Sequence, residues 1–131
     1  MIVLDASAAV ELFGNGSLAE AIASALAEAD EPLMVPELFD IEAVSALRRL
    51  ALAGQIDAHG CEQCLEALAD FAAERKPHAG LVERVWELRH NFTAYDAAYI
   101  ALAEASESTL WTSDAKMVKG HRAKVRLFRV Q

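Results

Sequence analysis

The stretch 93-TAYDAAYIALAEA-105 decides how the rest of this chain is read. Ala94, Tyr95, Ala97, Ala98, Tyr99, Ile100, Ala101, Leu102 and Ala103 leave almost no polar face. A helix that is apolar all round belongs in the interior of a domain. Yet Asp96 stands in its first turn. A buried carboxylate without a partner is costly or loses its charge. The stretch therefore predicts a helix covered on several sides and a compensating group for Asp96.

Working outward, short apolar runs alternate with helical patterns. Downstream, 109-TLWT-112 reads as a strand, 114-DAKMVKG-120 as a short helix and 125-VRLFRV-130 as a last strand. Upstream, Leu81 to Arg89 is helical, and 76-KPHAG-80 is a break. Asp57 is placed to cap a helix running to about Arg75. A further helix spans Glu37 to Ala53, is stopped by Gly54, and carries an apolar stripe through Leu38, Ile41 and Val44. The run 32-PLMVP-36 reads as a buried strand, and Ser17-x-x-Glu20 as a capping box opening a helix to about Ala29. At the start, MIVL is a strand and 5-DASAAVELF-13 a helix. Strands alternating with helices predict an α/β fold: a parallel sheet covered on both faces.

The 131 residues, 54% of them hydrophobic, suit one globular domain over 1–131. No apolar run has the length a membrane span needs. The apolar N-terminus lacks a basic flank and is interrupted by Asp5, so a strand and helix are expected there, not a signal peptide. A cytoplasmic location is the expectation. The net charge of −8 is uneven: residues 1–114 carry all 20 acidic groups and six of the 12 basic ones, while 115–131 carry the other six basic groups and no acid. The body should repel nucleic acid and the tail attract it. In the tail Lys124 and Arg126 alternate with Val125 and Leu127, the pattern of an edge strand guarded by charge. Cys61 and Cys64 have no second cysteine pair to complete a structural zinc site, so they read as two reduced thiols.

In an open parallel sheet, ligands bind beyond the carboxyl ends of the strands. Asp5 and Asp114 each follow a predicted strand, Glu42 lies early in the helix after 32-PLMVP-36, and Asp96 joins them if its helix starts at the same edge. Each has a simpler role open to it. Asp5 and Asp114 suit N-caps, Thr93-x-x-Asp96 fits a capping box, and Glu42 suits a solvated helix face. If the four converge, their mutual repulsion calls for a divalent cation. An oxygen-only donor set points to Mg²⁺ or Mn²⁺, which serve phosphate chemistry.

The segments IVLDASA, FDIEAVSALRR around Glu42, LRHNFTAYDAAYIALAE and LWTSDAKM together resemble a PIN domain, and more narrowly the VapC-type toxin ribonucleases of bacterial toxin–antitoxin pairs. The resemblance runs over essentially the whole chain. It implies a three-layer α/β/α fold with a mainly parallel sheet of about five strands, and Mg²⁺-dependent endonucleolytic cleavage of RNA, with Mn²⁺ able to substitute. By the same resemblance the metal and catalytic acids fall on Asp5, Glu42, Asp96 and Asp114, and small hydroxyl residues near the substrate on Ser7 and Thr112. Arg89 and the basic tail are candidate contacts to the RNA backbone. A VapB-like antitoxin, an RNA substrate and a homodimer are the implied partners, with apolar residues around Phe39 and Phe71 as candidate antitoxin contacts. The alternative is a PIN-like module that binds RNA or protein without turnover. A phosphoacceptor or phosphatase domain is disfavoured, because DAS at the first strand end lacks a neighbouring acid.

Overall fold

Five parallel strands run in the order β3-β2-β1-β4-β5 in a computed structural model that describes residues 1–130. They are β1 (Ile2–Leu4), β2 (Leu33–Pro36), β3 (Ala73–Lys76), β4 (Thr109–Thr112) and β5 (Lys124–Leu127). Around them lie α1 (Ala6–Phe13), α2 (Ala19–Ala29), α3 (Phe39–Leu52), α4 (Ala58–Ala69), α5 (Val82–Glu87) and α6 (Ala94–Ser106). The sheet is the middle layer of an α/β/α sandwich. β1 is fully buried, with Ile2 and Val3 facing Leu33 and Met34 on β2 on one side and Thr109 and Leu110 on β4 on the other. The chain leaves β1 toward β2 and β3, then returns to fill β4 and β5 on the opposite side. The β1–β4 boundary is thus the point where strand order reverses, and a crevice forms there at the carboxyl ends.

The alanines of α6 explain its burial. Small side chains let the helix lie close against β1, β2 and β4, and α5 covers it as well. Every residue from Ala97 to Ala103 is buried as a result. Because α6 leads directly into β4, its C-terminus sits at the amino edge of the sheet and its N-terminus at the carboxyl edge. That orientation carries Asp96 to the crevice.

Several local readings are corrected. The helix beginning at Ala58 ends at Ala69, and 73-AERK-76 is not its continuation but edge strand β3, paired with β2 from Leu33↔Ala73 to Pro36↔Lys76. Four good helix formers lie in the strand because long-range pairing outweighs a weak local preference. Ser17 does not cap α2: Leu18 holds the N-cap position without a side-chain bond, and its N–H is taken instead by Glu11 Oε2 at 3.3 Å. The segment after Asp114 forms a single 3-10 turn, Ala115–Met117. The helices around Phe39 and Phe71 do flank a small apolar pocket, lined by Ala43, Leu47 and Leu50 of α3 and Cys64 and Leu68 of α4, but the two rings themselves are not part of it. Phe39 is fully buried and stacks on Phe71, which meets Phe13 edge-on at 5.0 Å, so the three rings form core. The expected charged edge is present in β5, whose Lys124 and Arg126 are exposed while Val125 and Leu127 turn inward.

Candidate active site

Asp5 is the fixed point of the crevice. It caps α1 through Ala8 N–H at 3.0 Å, and it also accepts from Ser7 Oγ at 2.7 Å and Thr112 Oγ1 at 2.5 Å. Its backbone N–H extends the ladder to Trp111 O. Only 4% of Asp5 is exposed. Burial pushes its carboxyl pKa up, and the charge of Asp96 adds to that, while the three hydrogen bonds pull it down.

Thr112, at 0% exposure, donates to Asp5 and accepts from Asp114 N–H at 3.0 Å. It ties the ends of β1 and β4 together and positions Asp5 from behind, with no surface open to substrate. Ser7 lines the cleft and accepts from Ser113 N–H at 3.2 Å, so it faces both the acid and the opening. Asp114 caps the following turn through Lys116 N–H at 2.9 Å. Capping and site formation are therefore compatible for Asp5 and Asp114, since a strand-end carboxylate that starts a turn also stands at the crevice.

Glu42 and Asp96 are half-buried and line an open cleft of about 840 Å³ with Ser7, Glu11, Arg49 and Ser113. Burial raises the pKa of Asp96; the charge of Asp114 raises it further, and Lys116 and Thr93 oppose the rise. Thr93 caps α6 by accepting from Asp96 N–H at 3.2 Å, so this half of the expected capping box is present. Burial also raises Glu42; Asp96 and Asp5 add to it, while Tyr99 and Arg49 oppose it. Neither Glu42 Oε1 nor the Tyr99 hydroxyl meets a partner in hydrogen-bond geometry. Asp96 is the hub, its charge felt by or feeling each of Asp5, Glu42 and Asp114. Asp5, Glu42 and Asp114 each lie within electrostatic reach of Asp96, while of the four only Glu42 and Asp96 line the open cleft.

This donor set fits a hard divalent cation. No histidine or cysteine lines the cleft, and Glu42 presents a buried carboxylate oxygen that nothing else uses. Among the described residues no three acidic, histidine or cysteine side chains are placed so that they could hold a metal ion together. Mg²⁺ does not require three such side chains: it is commonly held by one or two carboxylates and completes its shell with water and phosphate oxygens.

Arg89 does not line this cleft. Its guanidinium donates to Trp86 O at 2.9 Å and lies 4.2 Å from the centre of the Trp86 ring. The cations at the site are Lys116, the first of the basic tail already expected to contact RNA, and Arg49, which the sequence reading passed over. The spacing of Arg49 two helical turns after Glu42 on α3 was the available signal. In the tail, Arg122 pairs with Glu104 and Arg126 packs over Trp111 and Phe128. Cys61 and Cys64 are free thiols, Cys64 buried and donating to Phe13 O.

Comparison with known proteins bears on the family and the fold. The PIN domain family matches residues 2–121. Ribonuclease VapC9 of Mycobacterium tuberculosis is 43% identical over 117 residues, covering 89% of this chain and 88% of its own. Among solved structures, PAE2754 from Pyrobaculum aerophilum superposes with a TM-score of 0.72 at 24% identity, covering 95% of this chain and 81% of that one. VapBC2 from Rickettsia felis, solved bound to a DNA fragment from its promoter, superposes with a TM-score of 0.67 at 15% identity, covering 98% and 100%. Both show the same fold. No helix among the described residues is long and apolar enough to cross a membrane.

Proposed function

The chain belongs to the PIN-domain family, among its VapC ribonucleases, and from that premise we propose that it is a Mg²⁺-dependent endoribonuclease, the toxin of a toxin–antitoxin pair, with Asp5, Glu42, Asp96 and Asp114 as its metal-binding acids. The observation that carries this reading is the position of Asp96, which feels or exerts repulsion on three other acids at the strand-order switch point. A protein gains nothing structural from such repulsion, whereas a site for a cation and a phosphodiester requires it.

A divalent cation held by these carboxylates would offset their repulsion of RNA and polarise the scissile phosphate. The protein's own groups divide the remaining work. Asp5, locked by three donors, is a rigid anchor. Asp96 and Glu42 stand at the open cleft, where RNA enters. Either Glu42, with a buried carboxylate oxygen that lacks a partner in hydrogen-bond geometry, or Asp114 positions the attacking water. Arg49 and Lys116 flank the acids and contact backbone phosphates, while Ser7 orients a phosphate or water. Attack by water forms a new phosphorus–oxygen bond and breaks the bond from phosphorus to the 3′-oxygen; the water's proton passes to solvent and the departing 3′-oxygen takes one from solvent, which leaves a 5′-phosphate and a 3′-hydroxyl. An antitoxin and a second copy of the chain complete the assembly.

The test is incubation of the purified chain, free of antitoxin, with structured RNA and Mg²⁺ or Mn²⁺. Cleavage that stops on chelation and in Asp5→Asn and Asp96→Asn supports the reading. Equal cleavage by parent and variants, or RNA binding that ignores chelator and never leads to cleavage, contradicts it.

A further inference from the structure

Tyr99 is 1% exposed and its hydroxyl has no hydrogen-bond partner. A buried phenol normally finds one, because an unpaired hydroxyl in a protein interior is expensive. Tyr99 stands three residues after Asp96 on α6, so the two side chains share a helix face. The hydroxyl lies next to Glu42: burial, then the charge of Glu42 and a hydrogen-bonding approach to it, then the charges of Asp5 and Asp96, all oppose its ionisation and keep it a neutral donor. Asp5 is already supplied by Ser7, Ala8 and Thr112. Glu42 is not, since its Oε1 is buried and free. A buried donor and a buried acceptor thus stand close to one another without a hydrogen bond of good geometry between them.

We propose that Tyr99 is a positioning residue for the nuclease site: its hydroxyl donates to Glu42 and fixes the direction of that carboxylate when the site takes up a divalent cation. The proposal rests on the nuclease reading above. Tyr99 touches neither RNA nor cation and acts through Glu42. A phenylalanine there would fill the same core volume, so what the hydroxyl adds is orientation and support for the charged form of the acid.

The experiment is calorimetric titration of Mn²⁺ into the full chain, run in two buffers of different ionisation enthalpy to count protons released. The proteins are the parent, Tyr99→Phe, Glu42→Gln and the double variant. Tyr99→Phe is expected to weaken Mn²⁺ binding by about 10-fold, the lower end of the range for groups that orient metal ligands. It should also release more protons per ion, because Glu42 holds its proton more firmly without the donor. In the Glu42→Gln background the same substitution should change nothing, and the ion-free melting temperature of Tyr99→Phe should hold or rise. Equal affinity and proton release in parent and Tyr99→Phe overturn the proposal and leave the nuclease reading standing. No Mn²⁺ uptake by the parent overturns both. An undiminished effect in the Glu42→Gln background, or failure of Tyr99→Phe to fold, shows that the hydroxyl does not act through Glu42.

Discussion

The two ends of α6 carry carboxylates with opposite fates. Glu104, in its last turn, is 8% exposed in its side chain and receives Arg84 Nε and Nη2 at 2.7 and 3.0 Å. It also accepts from Arg122 N–H at 2.8 Å and faces the Arg122 guanidinium at 3.6 Å. The Arg84 hydrogen bonds chiefly hold its pKa down, at about 2. Asp96, in the first turn, has its own pKa raised by burial and by Asp114. One helix thus holds a carboxylate whose charge is fully compensated and one whose charge is opposed. The compensated one is structure: it ties α5 and the approach to β5 onto α6. On the proposed function, the opposed one is where a cation from outside the chain would supply the compensating charge.

The most forceful way to break this contrast is to neutralise each acid in turn. Asp96→Asn should lower RNA cleavage on the order of 10²–10⁴-fold, the span for groups that hold or activate reacting atoms. The ion-free protein should melt at the same temperature or higher, because a repelling charge has gone. Calorimetry alongside a cleavage assay checks both halves. Glu104→Gln should do the reverse, leaving cleavage per folded molecule intact while costing about 1–2 kcal/mol. That figure lies below the cost of breaking a fully buried pair because Arg122 is 76% exposed and water screens it. A Glu104→Gln protein as stable as the parent would remove Glu104 as the structural reference.

Titration sharpens the comparison. Asp5, Glu42 and Asp96 have folded pKa values above their unfolded ones. Their contribution to stability is full below the ordinary carboxylate range and is lost as pH rises through the raised values. Glu104, lowered from 4.5 to about 2, contributes stability that is present above pH 4.5 and lost as pH falls through about 2. Uptake of a cation needs the three raised acids ionised. Mn²⁺ should therefore raise the melting temperature more at about pH 8 than at about pH 5, where part of the uptake is spent displacing protons. An equal rise at both values would mean that the ion binds elsewhere.

The smallest effect belongs to the cations. Arg49→Ala and Lys116→Ala should each weaken RNA binding a few-fold and lower the salt slope by about one unit or less, as for a single phosphate contact. Arg89→Ala, whose guanidinium is committed to Trp86, should change the slope little. Binding isotherms over a range of salt separate these outcomes.

How far the sequence reached follows from which signals are local. The burial of α6 was legible because nine apolar residues around one carboxylate leave few alternatives, and the strand-end acids followed from their positions after short apolar runs. β3 was hidden because Glu74, Arg75 and Lys76 favour a helix locally, and only pairing with Leu33–Pro36 makes them a strand. Thr112 read as a substrate contact because its proximity to the acids was visible and its complete burial was not. Tyr99 was counted among apolar core residues, since periodicity registers the ring and ignores the hydroxyl. Arg49 escaped for a related reason: its nearness to Glu42 reflects packing and side-chain reach, and charge alone does not separate it from Arg89, whereas Lys116 was legible as part of the basic tail.

The central claim is that Asp5, Glu42, Asp96 and Asp114 form one divalent-cation site. Anomalous diffraction from crystals of this chain soaked in Mn²⁺ tests it most directly. We expect a manganese peak in the cleft between Asp5, Glu42 and Asp96, lost in crystals of Asp96→Asn. Manganese peaks only elsewhere on the surface, or a cleft peak undiminished in Asp96→Asn, would contradict the account.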